Sequence, residues 1–130
     1  MPVAEPGAAA FFAALRQQHD LAALATSPLA QLRGVRRLAA TRYAGCELAA
    51  GLALRDLLQE AIEAVRAELA PVPGEPARRR EERLALEAIA RGTSVAATAR
   101  AMGISPTAQR YRDLYRLRYL LARLFLERAG

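Results

Sequence analysis

The chain of 130 residues contains no lysine, asparagine or tryptophan, and it has only one cysteine and one histidine. Cys46 alone cannot form an internal disulfide, and His19 alone cannot build a metal site. There is no run of about 20 uncharged apolar residues, so we expect no membrane-spanning helix. No basic residue precedes the first apolar run, so we expect no signal peptide and a cytoplasmic protein. The single cysteine and the single histidine exclude two protein classes, the disulfide scaffolds and the structural zinc proteins.

The residue patterns of a catalytic site are also missing. The sequence offers no histidine partner that would make Cys46 a nucleophile, and His19 lies in a polar segment typical of an exposed helix end. No glycine-rich phosphate loop follows a strand, because no strand is indicated. We expect no enzymatic activity and no cofactor.

Alanine, leucine and arginine are abundant, with 31, 20 and 19 residues. All three are good helix formers, and β-branched residues are few. A hydrophobic content of 53% argues against a disordered chain. The composition therefore predicts an all-α protein.

The net charge of +6 lies entirely in the second half of the chain. Residues 1–70 carry seven arginines and seven acidic residues, whereas residues 71–130 carry twelve arginines and six acidic residues. Concentrated positive charge attracts a polyanion such as nucleic acid. A solvated basic surface without such a partner is the alternative.

One segment is predicted to be a linker. Pro71–Pro76 has three prolines and a glycine in six residues, a composition that interrupts helices and sheets. We therefore predict a neutral helical domain for interaction or dimerisation at 1–70, a linker at 71–77 and a basic domain at 78–130. Helices are expected at about 8–24, 28–44, 52–69, 78–91, 95–102 and 106–129.

The segment Gly92–Arg110 has the features of a tight helix pair. Ala99 is small enough to face a second helix at a steep angle, Gly103 allows the positive φ of a turn, and Ile104 supplies an apolar plug. Ser105-Pro106 then predicts the cap and first turn of the next helix.

Residues 81–116 as a whole resemble the helix-turn-helix of bacterial sigma factor region 4. The resemblance implies that the second helix of the pair enters the major groove of DNA. Thr98, Gln109 and Arg112 depart from the pattern, because the family has buried apolar residues at these positions. A slightly rotated helix would instead turn inward the residues Ala108, Tyr111, Leu114 and Leu117. An ordinary helical hairpin is the structural alternative.

The resemblance also implies which side chains contact DNA. Glutamine reads adenine and arginine reads guanine through paired hydrogen bonds. The candidate base contacts are Ser105, Thr107, Gln109 and Arg110. Phosphate contacts fix the register without reading sequence. The candidates for them are Thr93, Ser94, Arg100, Arg112 and Arg116.

A second resemblance lies in the neutral half. Residues 51–65 are similar to the helix of sigma factor region 2 that docks on the clamp of RNA polymerase. The resemblance implies an exposed polar face formed by Asp56, Gln59, Glu60 and Glu63. The aromatic-rich segment that opens promoter DNA in that family does not follow here, so the implied protein is a shortened, sigma-like factor.

The last predicted helix is rich in apolar residues. They are Leu114, Leu117, Leu120, Leu121, Leu124, Phe125 and Leu126. These residues pack on the N-terminal helices, or against a second copy of the chain, or both. A homodimer would place two recognition helices about one DNA turn apart.

These features together predict an all-α protein with a helical N-terminal part and a C-terminal helix-turn-helix that ends in a long helix. The predicted function is sequence-specific binding of double-stranded DNA as a transcriptional regulator, without a cofactor and as a homodimer. One alternative is a sigma-like accessory factor that contacts RNA polymerase. The others are a helical protein-interaction module, such as an adaptor or antitoxin-like partner, and a phage DNA-packaging recognition subunit in a ring.

Overall fold

The fold consists of helices joined by short turns. The structure is a computed structural model and describes residues 6–130; residues 1–5, where the predicted N-terminal domain begins, lie outside it. No strand occurs in this range, and the prediction of an all-α fold is confirmed. The helices are α1 (Pro6–Arg16), α2 (Leu21–Ala25), α3 (Arg33–Arg42), α4 (Ala49–Glu68), α5 (Ala77–Ala90), α6 (Val95–Ala101) and α7 (Gln109–Ala129), with a 3-10 turn at Pro28–Gln31.

The first predicted helix is divided into α1 and α2. The Asp20 carboxylate accepts a hydrogen bond from the Ala23 N–H at 3.0 Å, and the Asp20 backbone is extended, with φ at −118°. Asp20 is therefore the N-cap of a new helix. The prediction of one helix over 8–24 was wrong because this local side-chain cap competes with helix continuation.

The second predicted helix is also divided. Ser27 accepts a hydrogen bond from the Leu29 N–H at 3.1 Å, as a cap does, but only the short 3-10 turn follows it. Helix α3 begins after the extended residue Leu32. A β-carbon on Gly34 would lie 2.6 Å from the Arg128 carbonyl oxygen. This glycine therefore lets α3 lie directly against the end of α7.

Helix α4 is at the centre of the fold and packs against α2, α3, α5 and α7. Its largest buried side chains are Leu54, Leu57, Leu58, Ile62 and Val65. Helix α7 contributes to the same cluster the residues Leu114, Leu117, Leu121, Phe125 and Ala129. Four of the residues behind the homodimer prediction are thus buried within the chain, whereas Leu126 is 40% exposed.

The proline-rich segment is bonded to the helices on either side of it. Glu75 forms an ion pair with Arg83 and accepts a hydrogen bond from the Val72 N–H at 3.3 Å. Arg79 donates to the Glu68 carbonyl oxygen at 2.7 Å, at the end of α4. The hydrogen bond from Arg83 is the main cause that lowers the pKa of Glu75 to about 2. The domain boundary at 71–77 stays a prediction.

Residues 6–130 contain neither a candidate membrane-spanning helix nor a candidate metal site. None of the helices there is at once long and apolar enough to cross a lipid bilayer. No cluster of three or more histidine, cysteine, aspartate or glutamate side chains is placed to hold a metal ion in that range.

Candidate nucleic-acid interface

Helices α5, α6 and α7 pack on one another, and two glycine turns connect them. Gly92 has a φ of +91° and Gly103 a φ of +70°. After the second glycine, the Ile104 N–H donates to the Ala99 carbonyl oxygen at 2.8 Å, which closes a Schellman motif. The side chains of Ile104 and Ala99 are buried. The predicted helix end at Gly92 and the predicted positive φ at Gly103 are confirmed.

Helix α6 begins where the sequence predicts. The Ser94 hydroxyl oxygen accepts a hydrogen bond from the Ala97 N–H at 3.0 Å. Thr98, which departs from the helix-turn-helix pattern, is buried, and its hydroxyl donates to the Ser94 carbonyl oxygen at 2.9 Å. A polar side chain fits this position because its hydroxyl is satisfied inside the helix.

Helix α7 begins four residues later than Ser105, so the predicted cap there was wrong. Ser105 and Pro106 form a turn in which the Ala108 N–H donates to the Ser105 carbonyl oxygen at 3.0 Å. Ala108, with φ −75° and ψ 151°, precedes the first helical residue, Gln109, and provides no side-chain cap. The connection from 102 to 108 is longer than the three or four residues of a typical helix-turn-helix. Thr107 therefore precedes α7, too.

The four predicted base contacts are exposed, but each of them has a partner within the protein. An Arg110 guanidinium nitrogen lies 2.6 Å from a Glu81 carboxylate oxygen on α5. The Gln109 side-chain amide donates to Asp113 at 3.3 Å. Ser105 and Thr107 lie in the turn, with their hydroxyl oxygens 3.0 Å apart. A base contact by Arg110 thus requires its release from Glu81.

The predicted phosphate contacts lie in two places. Thr93 and Ser94 are at the start of α6, while Arg100 is exposed in its last turn. Arg112 and Arg116 are exposed on α7. Arg112 donates to the Gln109 side-chain oxygen at 3.1 Å, and Arg116 lies 3.5 Å from Asp113, with 74% of its side chain exposed. An external anion can therefore reach both guanidinium groups from the solvent.

Residues three and four apart in α7 form one exposed row, which we call the outer stripe. Its members are Gln109, Arg112, Arg116, Tyr119 and Arg123. The ring of Tyr119 is 67% exposed. Sequence reasoning missed Tyr119 and Arg123, although their spacing from Arg116 was the signal that places them on this stripe.

Asp113 is a third residue that sequence reasoning missed. Its side chain is only 11% exposed, and one carboxylate oxygen lies 3.5 Å from an Arg78 nitrogen on α5. That oxygen is buried without a hydrogen bond among the described residues. The sequence shows that Asp113 lies one helical turn from both Gln109 and Arg116. It does not show the contact with Arg78, because that contact depends on how α5 packs against α7.

The predicted polymerase contacts line one open groove of about 540 Å³. The groove contains Arg42, Asp56, Gln59, Glu60, Glu63, Ala64 and Arg128. Asp56 accepts a hydrogen bond from Arg42 at 2.9 Å, and Gln59 donates to the Gln18 side chain at 2.6 Å. Glu63 pairs with Arg66 on the same helix. Helix α4 thus brings the four predicted residues together, with Glu60 the least engaged, 3.8 Å from Arg128.

Comparison of the chain with protein-family models, curated proteins and solved structures gives no match. The resemblances to sigma factor regions 4 and 2 therefore stay predictions.

Proposed function

We propose that the protein binds double-stranded DNA through the turn before α7 and the outer stripe, and that it acts as a sequence-specific transcriptional regulator in the cytoplasm. The observation that carries the proposal is the exposure of this surface. Ser105, Thr107 and Gln109 are open to solvent where α7 begins, and Arg112 and Arg116 follow on the same helix. The surface belongs to the half of the chain that carries the whole net charge.

The proposed contacts divide by chemistry. Gln109 and Arg110 have side chains that read base edges in the major groove. Arg112, Arg116 and Arg100 provide contacts to phosphate, which fix the register of the helix on the duplex. Ser105 and Thr107 lie in the long turn before α7. Their hydroxyl groups can form hydrogen bonds with either phosphate oxygens or base edges.

The proposal is tested by selecting the genomic fragments that the protein retains and measuring affinity for them at several salt concentrations. Each phosphate contact contributes about −0.9 to the slope of log affinity against log salt. Arg112→Gln and Arg116→Gln should weaken binding to all sequences and reduce the slope by about 1 each, whereas Gln109→Ala should reduce only the preference for selected sites. The control is Arg36→Gln, which removes an exposed arginine from α3. If the α7 variants bind as this control does, the proposed surface is wrong.

A second candidate function is that of a sigma-like accessory factor that contacts RNA polymerase. Its support is the groove that brings Asp56, Gln59, Glu60 and Glu63 onto one side of α4. Polymerase should co-purify with the wild-type chain and be lost with the double variant Asp56→Arg, Glu60→Arg. Unchanged co-purification with the double variant would contradict this candidate.

The remaining alternatives differ in assembly. A homodimer would have to use residues that are exposed, such as Leu126, because most of the predicted apolar seam is buried within the chain. A DNA-packaging subunit would form a ring, and a protein-interaction module would bind an acidic protein in place of DNA. Light scattering separates a monomer, a dimer and a ring, and the retained-fragment experiment separates DNA from protein partners.

A further inference from the structure

A small cavity lies where α1, the turn between α5 and α6, and α7 meet. It has a volume of about 70 Å³. One water molecule needs about 10–15 Å³ of such space, so the cavity admits a group of several non-hydrogen atoms. Its polar lining comes from Arg16, Thr93, Ser94 and Arg118, and Phe12 forms part of the apolar wall.

Among the described residues that line it, the cavity has two positive charges and no negative one. Within the part of the chain that the structure describes, neither Arg16 nor Arg118 has a carboxylate within 4.0 Å. Burial is the main cause that lowers the pKa of Arg118; Tyr115 opposes it, and the charge of Arg16 adds a smaller lowering. An anion at this place would neutralise two guanidinium groups that otherwise repel each other.

The fold holds the Arg118 guanidinium and the backbone of Arg16. The Arg118 guanidinium carbon lies 3.5 Å from the centroid of the Phe12 ring, a cation–π contact that occupies the face of the guanidinium and leaves its N–H edges free. The backbone of Arg16 is packed against Gly92, since a β-carbon on this glycine would lie 2.8 Å from the Arg16 nitrogen. The Arg118 side of the site is therefore preorganised, whereas the side chain of Arg16 is exposed and reaches the cavity from its rim.

The hydroxyl groups of the cavity are available as donors. Ser94 uses its oxygen to accept the bond from the Ala97 N–H, so its proton remains free for an acceptor. The Thr93 hydroxyl takes part in no hydrogen bond with the described residues. Two guanidinium forks and two hydroxyl protons match an oxyanion with several acceptor atoms, and arginine forks suit phosphate in particular.

We propose that this cavity is a binding site for a phosphate group, held by Arg16 and Arg118 with help from Thr93 and Ser94. The phosphate belongs either to the backbone of a bound duplex or to a free phosphorylated small molecule. The first source rests on the proposed function, whereas the second is independent of it.

The direct test uses inorganic phosphate alone, compared with chloride at equal ionic strength. A ligand that binds only the folded chain raises the melting temperature. Phosphate should therefore raise Tm for the wild type and for the control Arg36→Gln, and the rise should be lost in Arg16→Gln and Arg118→Gln. Thr93→Val, which leaves all charges in place, should reduce the rise. Circular dichroism verifies that each variant is folded. An equal rise in all variants, or none in the wild type, would overturn the site.

A second arm identifies the source of the phosphate. If it is a backbone phosphate, Arg16→Gln and Arg118→Gln each lower the salt slope of duplex binding by about 1, and added inorganic phosphate competes with the duplex. If it is a free molecule, both variants bind the duplex as the wild type does while they lose the phosphate-dependent rise in Tm. A chain that retains no DNA but shows that rise contradicts the proposed function and still supports the site.

Discussion

At the scale of single residues, two carboxylates fix arginines whose positions matter for the fold and for the site. Glu75, in the turn before α5, holds Arg83 of that helix, and Glu81 of α5 holds Arg110 at the start of α7. The first pair has its carboxylate side chain almost covered, with 7% exposed, whereas the second is open to solvent. We therefore expect that removing the Glu75 carboxylate changes stability, whereas removing the Glu81 carboxylate changes binding.

We predict that Glu75→Gln lowers the melting temperature at pH 7 by a few degrees. The folded pKa of Glu75 is about 2, below its ordinary value of 4.5, so the ionised carboxylate stabilises the fold above pH 4.5. That stabilisation is lost as the pH falls toward 2. The difference in Tm between wild type and variant should shrink over this range and vanish at its lower end. Glu47→Gln, in an exposed loop, is the control and should show no such convergence.

We predict that Glu81→Gln tightens duplex binding. The free protein must break the ion pair at 2.6 Å before Arg110 can reach a base. An exposed pair contributes about 1 kcal/mol or less, so affinity should rise about fivefold or less. Glu47→Gln changes the net charge equally and is measured beside it by fluorescence anisotropy. Equal affinities of the two variants would contradict the prediction that the pair with Glu81 holds Arg110 back from the duplex.

Local signals in the sequence predicted the residues at which helices begin or end, but they did not predict the long-range contacts. Gly92, Gly103 and Ser94 act within a few residues of the chain, so their roles were visible. The pairs Arg110–Glu81 and Arg78–Asp113 were not, because each depends on how α5 lies against α7. Ser105 was assigned wrongly because a serine followed by a proline is also typical of a turn.

At the scale of helices, the ends of α3 and α7 come unusually close together at Gly34. Alanine at a helical position normally stabilises a protein relative to glycine. Here we predict the opposite sign, because the new β-carbon would lie 2.6–2.8 Å from backbone atoms of Arg128 and Ala129. Gly34→Ala should lower the free energy of unfolding by about 1–3 kcal/mol, as measured by urea denaturation. A stabilised variant would show that the two helices separate in solution.

The last two turns of α7 offer a test of whether this helix packs within the chain. Phe125 is fully buried, so Phe125→Ala should lower the free energy of unfolding by about 3–5 kcal/mol. The neighbouring change Leu126→Ala, at a side chain 40% exposed, should have a much smaller effect. Both results should be independent of protein concentration. A wild-type stability that rises with protein concentration, and loses this dependence with Leu126→Ala, would instead locate a contact between copies at this residue.

The number and boundaries of the helices were only partly predictable. The apolar spacing of Leu54, Leu58 and Ile62 predicted α4 well, because one face of a long helix must be buried. The segment from 8 to 44 was less predictable. Alanine and leucine favour helix throughout it, so the composition does not show where α1, α2 and α3 are separated. There the caps at Asp20 and Ser27 decided the outcome, together with the packing of the short helices on α4.

At the scale of the whole molecule, buried side chains from both sides of the proline-rich segment belong to one cluster. We therefore predict a single unfolding transition. Helix content followed by circular dichroism and the fluorescence of the four tyrosines should give coincident curves. Three tyrosines, Tyr111, Tyr115 and Tyr119, are on α7, and Tyr43 follows α3, so both parts are monitored. Two separated transitions would support independent domains at 1–70 and 78–130.

Helix α7 extends from the proposed DNA surface to the groove beside α4. Its 21 residues span about 31 Å at a rise of about 1.5 Å per residue, and they include no proline or glycine at which the rod would bend. Arg128, near its far end, is part of the groove. Because the helix is continuous, we expect a molecule that binds in the groove and displaces the last turn of α7 to change the tilt of its first turn as well.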